Sequence, residues 1–503
     1  MKKKAIYIVI YSLLLTLMVA AEVNLVHRVL LLNMLPDLYV AALIGIFAIL
    51  SVGIALLLFL HRKDKWIGVA RQIIACILIA VTVAGCFFIS PKIHKLQSTV
   101  QQITTNEEIG PTRNIYVMKA DPAKTIQEAA DYTFAALRQD EYCTEQVVEA
   151  LEAELGETIM VEYYDDESLM IVAYYNKEAN ALIFNEGFLS IWGENELYTD
   201  FNEKNRVLHS VQVTEKQDAN ITEPEPEIPH VPDVTNTPFI VYISGMDGES
   251  EVLKNTRSDT NILMVVNPAT KQILLVNTPR DYYIVHPWGN GGKDKLTHCG
   301  VYGIQCSIDA MENLYGVSVD YYFRINFKGL ETLVDAIDGI TVYSEKAFMA
   351  CNLSPIVAGE NHLDGEAALR FARDRYNQPG GDNGRGKNQM KVIKAVIAKV
   401  TSGRTLIANY SAILNSLEGM LATSVPAEDI NKLVKMQLSD MAQWNILSYA
   451  VTGYGGTQTT YSMPGLASYV MHPHQYTVDY GKELIQRVID GEILTQDDMT
   501  VPK

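Results

Sequence analysis

Long apolar runs at the beginning of the chain predict helices that cross a membrane. Residues 5–21 form an unbroken apolar run, residues 38–60 are uncharged, and residues 72–90 form a third run. Because an α-helix rises 1.5 Å per residue, roughly 20 apolar residues span a bilayer. The second and third runs meet this length, and the first meets it if it extends past Glu22 toward Leu31. We therefore predict three spans. A cleaved signal peptide is the alternative for the first run, but its apolar core is longer than such a signal has.

Positive charges beside these runs predict their direction. Three lysines follow Met1, and residues 61–65 (HRKDK) separate the second run from the third. The connection between the first two runs carries only Arg28 as a fixed positive charge. Lysine and arginine favour the cytoplasmic side of a membrane. We therefore expect a cytoplasmic N-terminus, and we expect the chain beyond about residue 91 to lie outside the cell.

The next segments predict a stalk at 92–111 and a small α/β accessory domain at 112–213. A helix is expected to begin at Asp121, TIMVEYYDD is typical of a strand, and SLMIVAYYNKEANALIFNEGF is typical of a β-hairpin. Residues 214–237 are polar and proline-containing, which indicates a linker. The accessory domain shows no set of residues with an assignable chemistry, so a spacer or a partner-binding module is expected there.

Strands alternate with helices from residue 238 to residue 480. The predicted strands are FIVYISGMD, NILMVVNP, QILLVNTPRD, YYFRINF and GITVYS, and the predicted helices are SIDAMENLYG, GLETLVDAID and GEAALRFAR. This alternation predicts the α/β class, with helices on both faces of one sheet. Binding sites in such folds collect at the ends of the strands. Residues 481–503 are expected to form a C-terminal tail.

The negative charge of the chain is concentrated in one region. The formal net charge is −18, and residues 107–227 hold 27 acidic against 8 basic residues, which is −19, so the remainder carries +1. A surface this acidic argues against nucleic-acid binding in that region. Two of the six cysteines lie in the third apolar run, and the other four are too few for a disulfide framework. Cys306 and Cys351 are one conceivable pair, and no Cys/His spacing indicates zinc.

Charged residues at the ends of predicted strands are the first candidates for chemistry. Asp247 follows the strand FIVYISGM, Asp259 precedes NILMVV, and Arg280 ends QILLVNTP. Lys293 and Lys295 lie beside a glycine turn before a predicted helix. Each residue alone also fits an ordinary turn, cap or solvated loop. Their joint placement makes a common site the sharper hypothesis.

The segment RDRYNQPGGDNGRGKNQ at 373–389 gathers positive charge around glycines. On an extended backbone Arg373 and Arg375 share one side, and Asp382 or its neighbour caps the helix that follows. In that helix Arg385 and Gln389 are four residues apart, on the face that continues into apolar positions, so they point inward. A buried guanidinium needs an anionic partner. Three arginines near a helix N-terminus suit a phosphate, although the Walker motif GxxxxGK[ST] is absent.

In combination, these pieces resemble the LytR-CpsA-Psr family of bacterial cell-wall glycopolymer ligases, over about 239–400. The resemblance is carried by MDGES with RSDTNILMVV, LLVNTPRDYY, KDKLTHCGVYG, FRINFKGLETLVDAIDGITV and LDGEAALRFARDRYNQPGGDNGRGKNQ. Three N-terminal spans with an additional domain resemble the capsule-type branch. The resemblance implies an external α/β/α domain that binds a glycan linked to polyprenyl pyrophosphate, with Mg²⁺ at the pyrophosphate. It also implies transfer of the glycan phosphate to a peptidoglycan hydroxyl, with release of polyprenyl phosphate.

The resemblance also assigns roles to individual residues. Asp247 and Asp259 match the acidic pair near the metal, with Asp247 as the base and Asp259 as a metal ligand. Asp382 matches a position that orients the arginines. At Ile284 many members have a second arginine, which Lys293 is one candidate to replace. The pyrophosphate-contacting set comprises Arg280, Lys295, Arg373, Arg375, Arg385 and Gln389, and we expect Asp247, Arg280, Arg373 and Arg375 to be catalytic.

Two other functions remain open from the sequence. The same site with water as the acceptor would be a polyprenyl-pyrophosphate hydrolase, since only acceptor access separates the two reactions. The second alternative is a membrane-anchored, non-enzymatic regulator of envelope polysaccharide synthesis. The expected topology argues against DNA contact by such a regulator, because the large domain lies outside the cell and has no basic recognition helix.

Overall fold

The computed structural model describes residues 2–60, 65–104, 112–192, 200–213, 231–246, 255–377, 381–402, 413, 417 and 419–502. Its elements fall into two compact units. One unit comprises residues 1–104, 400–418 and 425–443, and the other comprises residues 105–399, 419–424 and 444–503.

Three N-terminal helices confirm the prediction of three spans in the first unit. Their bounds are α1 (Lys2–Leu32), α2 (Asp37–Phe59) and α3 (Lys65–Thr104). Within them Ile6–Leu32, Asp37–Phe59 and Trp66–Gln101 are long and apolar enough to cross a membrane. The first apolar run does extend past Glu22, as its length required. Helix α3 continues beyond Pro91 to Thr104, so the first part of the predicted stalk is helical. The remainder of the stalk, 105–111, lies outside the described residues.

The accessory region contains one mixed five-stranded sheet, in the order β3-β2-β4-β1-β5. Its strands are β1 (Thr112–Met118), β2 (Thr133–Leu137), β3 (Met160–Tyr164), β4 (Ala181–Asn185) and β5 (Asn205–Gln212). Its helices are α4 (Glu141–Leu155), α5 (Glu167–Tyr175), α6 (Phe188–Trp192) and α7 (Phe201–Lys204), with 3₁₀ turns at Ile126–Ala129 and Arg138–Asp140.

Two predictions in this region are wrong. No helix begins at Asp121. Its carboxylate instead accepts hydrogen bonds from the Ala123 N–H and the Tyr132 hydroxyl, which closes a turn before β2. The predicted hairpin is also wrong, because its first arm is helix α5. The Asp166 side chain caps this helix by accepting from the Leu169 N–H, and tertiary packing of its buried face overrides a composition typical of strands.

The larger part of the second unit is built on a six-stranded sheet, in the order β16-β11-β6-β7-β8-β17. Its strands are β6 (Phe239–Met246), β7 (Ser258–Asn267), β8 (Gln272–Thr278), β11 (Tyr321–Asn326), β16 (Leu421–Thr423) and β17 (Asn445–Ala450). The short strands are β9 (Tyr283–Val285), β10 (Lys293–Lys295), β12 (Ile340–Ser344), β13 (Phe348–Ala350), β14 (Ser354–Ile356) and β15 (Gly359–Leu363). A long hairpin is formed by β18 (Gly453–Thr460) and β19 (Met463–Pro473).

The helices of this part follow the predicted alternation and confirm the α/β class. They are α8 (Leu296–Cys299), α9 (Ile304–Tyr315), α10 (Phe327–Ala336), α11 (Gly365–Arg373), α12 (Gly381–Val400) and α14 (Gln475–Ile489), with 3₁₀ turns at Gly300–Tyr302 and Asp497–Met499. Helix α13 (Ala427–Asp440) belongs to the first unit. The strand GITVYS is present as β12, but it pairs with β15 outside the main sheet.

One continuous apolar core joins the accessory sheet to the six-stranded sheet. The rings of Phe188 and Tyr302 lie 5.7 Å apart, and Asn185 donates to the Val301 carbonyl. The predicted boundary at residue 480 falls inside helix α14, whose Leu484 is fully buried. The segment 481–503 therefore packs into the core and does not form a tail. Most of the predicted linker, 214–230, lies outside the described residues.

Candidate active site

Strand register brings opposite charges together at one edge of the six-stranded sheet. Strands β7 and β8 are antiparallel, with Asn261 opposite Thr278. Continuing this register by two residues places Asp259 opposite Arg280, and the Arg280 Nη1 lies 2.8 Å from the Asp259 Oδ1. Strands β6 and β11 are parallel and end at the same edge. The sheet topology therefore places the predicted strand-end residues in one neighbourhood.

A cavity of about 260 Å³ opens at this edge and is lined mainly by cationic side chains. Its lining residues are Arg257, Asp259, Phe327, Arg373, Arg375, Tyr376, Arg385 and Gln389. Four arginines against one aspartate leave three net positive charges in this lining. Guanidinium groups offer paired N–H donors that match phosphate oxygens. The cavity is thus suited to a compact polyanion.

Arg373 and Arg375 line the same cavity, as predicted, but the expected backbone is only half right. Arg373 is the last residue of helix α11, and the extended conformation begins at Asp374. The Asp374 carboxylate is buried and accepts hydrogen bonds from the N–H groups of Cys351, Tyr376 and Asn377. These bonds fix the turn that carries Arg375. The Arg373 guanidinium lies over the Phe327 ring, 4.2 Å from its centroid, which further orients the charge.

Helix α12 presents Arg385 and Gln389 to the cavity, which confirms the four-residue spacing argument. Arg385 is 8% exposed, whereas Lys387 on another face is exposed. The Gln389 Nε2 lies 3.5 Å from the Asp259 carbonyl oxygen. Gly386 allows this close approach, because a Cβ there would lie 2.5 Å from the Asn277 Nδ2. The helix therefore packs against the end of β8 and delivers one guanidinium inward.

The arginines set the charge state of Asp259. Burial alone would raise the pKa of this carboxyl, but the positive charges of Arg280, Arg257 and Arg385 outweigh burial and lower the pKa. Asp259 is therefore ionised at neutral pH. An ionised carboxylate that is held by Arg280 is a weak proton acceptor but retains the charge that a divalent cation requires.

The remaining predicted site residues are placed differently. Asp247 lies outside the described residues. Helix α12 begins at Gly381, so Asp382 lies in its first turn, and the side chain of Asp382 lies outside the described part, so its predicted capping and orienting roles stay predictions. Lys295 is buried on β10, two residues before Thr297, whose N–H donates to the Arg280 carbonyl. Its role at the pyrophosphate stays a prediction.

Ile284 occupies the position where the family resemblance implies a second arginine, and its side chain lies in the apolar core. Ile284 is 7% exposed and packs in the hydrophobic cluster of this unit. Lys293, the candidate replacement, is exposed, and its ammonium lies 5.6 Å from the centroid of the Tyr283 ring. Replacement of the missing charge by Lys293 stays a prediction.

Sequence reasoning missed three residues of the cavity: Arg257, Phe327 and Tyr376. Arg257 lies two positions before Asp259 and reaches the cavity, where its charge also lowers the Asp259 pKa. The alternation of strand β7 was the available signal, because residues two apart share a face. Tyr376 was missed because it follows the arginines in a turn, where periodicity gives no direction.

A second cluster of titratable side chains lies in the core. One potential ligand atom each from His286, Cys299 and Cys306 lies within 4.8 Å of the others, a grouping that linear spacing does not reveal. Burial lowers the pKa of His286 to about 4 and raises that of the Cys306 thiol, so both are neutral. The His286 Nδ1 accepts from the Trp288 N–H, which assigns its proton to Nε2, 3.6 Å from the Cys306 sulfur. Cys306 and Cys351, the conceivable disulfide pair, are both free thiols in the structure, and Cys306 lies beside Cys299.

Comparison with known proteins gives a consistent group. Residues 199–475 match the model of the LytR_cpsA_psr family. A protein of Enterococcus faecalis, named polyisoprenyl-teichoic acid–peptidoglycan teichoic acid transferase TagU, is 33% identical over 250 residues, covering 49% of this chain and 78% of its own. The protein of the same name from Bacillus subtilis is 40% identical over 163 residues, covering 32% of this chain and 52% of its own. The crystal structure of B. subtilis TagU is 26% identical, with a TM-score of 0.40, covering 52% of this chain and 100% of that one.

Proposed function

This chain belongs to the LytR_cpsA_psr family, and from that premise we propose that it transfers a polyisoprenyl-linked glycopolymer to peptidoglycan. The observation that carries the proposal is the cavity in which Arg257, Arg373, Arg375 and Arg385 converge. A pyrophosphate link between lipid and glycan has the size and charge to occupy it. The names of the relatives describe a polyisoprenyl-linked donor and a peptidoglycan acceptor, which supports the same reaction class.

The proposed reaction breaks the phosphoanhydride bond of the donor. A hydroxyl oxygen of peptidoglycan forms a bond to the phosphorus that carries the glycan, the bridging P–O bond breaks, and polyisoprenyl phosphate leaves with that oxygen. Negative charge grows on the leaving phosphate. Arg373, Arg375 and Arg385, with Arg280 beside Asp259, stabilise this charge more than the ground state. Phe327 and the Asp374 turn hold two of these arginines in place, so little reorganisation is needed.

Mg²⁺ is proposed as the cofactor, with Asp259 as its ligand and Asp247 as the second acidic residue expected near the ion. The residues fit, because Asp259 is ionised and faces the cavity. A divalent cation among several arginines is repelled unless an anion accompanies it, so the ion is expected to enter with the pyrophosphate. When bound, it would neutralise charge on the phosphate oxygens. Because the ion pair with Arg280 makes Asp259 a weak proton acceptor, Asp247 is the proposed base that takes the proton of the attacking hydroxyl.

The proposed location is the outer face of the cell membrane. The three apolar helices support membrane anchoring. Lys435 of helix α13 pairs with Asp37, at the connection between α1 and α2, at 2.7 Å. This pair supports a location of that connection and of helix α13 on the same side of the membrane. Helix α13 follows the segments of the proposed active site in the chain. With a cytoplasmic N-terminus, that side is outside.

The test is a transfer assay with the full chain in detergent micelles. A polyisoprenyl-pyrophosphate-linked glycan, Mg²⁺ and peptidoglycan oligomers should yield a covalent glycan–peptidoglycan conjugate and polyisoprenyl phosphate. Release of free glycan phosphate without a conjugate would replace transfer by hydrolysis. If neither product forms and Arg373→Ala binds the donor as tightly as the unaltered chain, the site assignment is wrong.

A further inference from the structure

A row of aromatic rings begins on one face of the β18–β19 hairpin and continues through His474 to Tyr476 at the start of helix α14. Tyr454 and His472 are directly opposite each other in the strand register, and their rings stack with centroids 5.1 Å apart. The His474 ring lies 5.6 Å from the Tyr454 ring and 5.6 Å from the Tyr476 ring. Tyr283 of β9 adds an edge contact to His472 at 5.5 Å. We name these five residues the aromatic face.

The rings of this face are held in place, and two of them are largely open to solvent. Tyr454 is 58% exposed and Tyr476 is 60% exposed. His472 lies flat over β18 because the strand has a glycine below it, since a Cβ at Gly456 would lie 2.8 Å from the His472 Nε2. Rings fixed before binding lose little conformational freedom when a ligand stacks on them.

The hairpin region lacks formal charge, in contrast to the rest of the molecule. No Asp, Glu, Lys or Arg occurs from residue 441 to residue 478, in a chain of which 20% is charged. On β18 the Gln458 side chain shares the face of Tyr454 and is exposed, whereas Thr457, opposite Tyr469 in the register, lies on the other face. The hairpin itself offers no fixed charge to a charged protein surface or an anionic lipid headgroup, and the Lys293 ammonium, 5.6 Å from the centroid of the Tyr283 ring, lies at the margin of the aromatic face. A neutral ligand rich in hydroxyl groups needs no charged partner and can use the polar side chain of Gln458.

The aromatic face is attached directly to the segment that carries Arg280. The Met471 N–H donates to the carbonyl of Asp281, the residue after Arg280, at 2.7 Å. The Tyr283 hydroxyl donates to the Thr459 carbonyl at 3.0 Å. Tyr283 is three residues from Arg280, which a nearly extended chain covers in about 10 Å. The face therefore begins close to the arginine that holds Asp259.

We propose that the aromatic face binds the glycan strand of the peptidoglycan acceptor. This inference rests on the proposed transfer function and assigns the acceptor side of its site. A pyranose ring has an apolar face of C–H groups, which packs on the electron-rich face of a tyrosine ring. Its peripheral hydroxyl and amide groups find a donor and an acceptor in the Gln458 amide on the same face. A strand held there places a sugar hydroxyl near the anion cavity.

The test measures binding of soluble β-1,4-linked N-acetylglucosamine oligomers, an uncharged probe of the glycan backbone, to the full chain in detergent micelles. The double variant Tyr454→Ala/Tyr476→Ala should weaken binding by about tenfold or more, because two stacking contacts are removed. Tyr454→Phe/Tyr476→Phe keeps the rings and should stay within about threefold of the unaltered chain. Tyr469→Ala is the matched control, because Tyr469 is 45% exposed on the opposite face of the same hairpin.

Three results would overturn the proposal: unchanged binding in the double alanine variant, equal loss in Tyr469→Ala, or equal loss in the phenylalanine variant. If the double alanine variant loses its folding transition, Tyr454→Leu/Tyr476→Leu tests the same prediction, since it keeps apolar bulk without rings. Anionic vesicles serve as the competing probe, and tyrosine-dependent vesicle binding without glycan binding also contradicts the proposal.

The experiments distinguish a failure of the aromatic-face proposal from a failure of the transfer proposal. If the conjugate forms but glycan binding does not depend on Tyr454 and Tyr476, the proposal for the aromatic face is wrong and the proposed transfer reaction stands. If glycan binding depends on the two tyrosines but no conjugate forms, the proposed transfer reaction is wrong and the glycan-binding role of the aromatic face stands. Arg373→Ala serves as the reference in both assays, because it should lose transfer and keep glycan binding.

Discussion

The anion cavity and the aromatic face are neighbours with opposite chemistry. The cavity gathers four arginines around Asp259, whereas residues 441–478 contain no Asp, Glu, Lys or Arg. Both are attached to the segment around Arg280, the cavity through Asp259 and the hairpin through Asp281. The difference agrees with the two proposals, in which the cavity binds the charged donor and the aromatic face binds the glycan of the acceptor. Each region can therefore be altered without the other.

The largest expected effect comes from removing one cavity arginine. Arg373→Ala should lower the transfer rate by roughly 10²–10³-fold, because a positioned charge that stabilises the leaving phosphate is lost. Binding of the glycan acceptor should not change. Lys387→Ala is the matched control, since Lys387 is exposed on another face of α12, next to Gly386. Equal losses in both variants would mean that general positive charge, not the cavity, drives the reaction.

The packing beside the turn of the β18–β19 hairpin should be sensitive to acid. The His286 ring lies 4.8 Å from the ring of Tyr461 at this turn, and burial lowers the pKa of His286 to about 4. The unfolded chain binds a proton near pH 6.5, so stability is full above that pH and falls as the pH is lowered toward 4. The expected loss is roughly 3 kcal/mol over this window.

Thermal unfolding of the full chain at pH 7 and pH 4.5 measures this loss. His286→Gln should flatten the pH dependence over that interval, since the substituted side chain does not titrate. Asp259 and Asp294, whose pKa values are lowered, contribute stability that is lost only as the pH falls below about 4, so they act outside this window. An unchanged slope in the His286 variant would refute the assignment.

The charge of Asp259 should matter next. Asp259→Asn keeps the side-chain shape but removes the partner of Arg280 and the proposed metal ligand. We expect activity to fall by about 10–100-fold and the Mg²⁺ concentration for half-maximal rate to rise. Asp364→Asn is a suitable control, because Asp364 caps helix α11 by accepting from the Ala367 N–H. A rate loss with an unchanged Mg²⁺ requirement would leave Asp259 as a positioning residue for Arg280.

The smallest expected effect concerns the acceptor. Tyr454→Ala/Tyr476→Ala should raise the KM for peptidoglycan oligomers by about tenfold with little change in kcat, since the rings bind acceptor without touching the reacting bond. The KM for the lipid-linked donor should stay constant. An equal rise in both KM values would mean that the hairpin supports the cavity structurally and does not recognise glycan.

The sequence predicts a large part of this account, and the failures have physical reasons. Run length was sufficient for the three spans, and the four-residue spacing was sufficient for Arg385 and Gln389. Helix α5 was mistaken for a strand because burial against neighbours outweighs the β-propensity of its Ile, Val and Tyr residues. Tyr454 and His472 are 18 positions apart, and only the strand register reveals that they stack.

The arginine-lined cavity is proposed to hold the pyrophosphate of the donor. The most direct measurement is an experimental structure of the full chain with a polyisoprenyl-pyrophosphate-linked glycan and Mg²⁺. We expect both phosphorus atoms to lie within hydrogen-bonding reach of Arg280, Arg373, Arg375 and Arg385. A pyrophosphate that is bound elsewhere, with these four guanidinium groups contacting only protein, would contradict it.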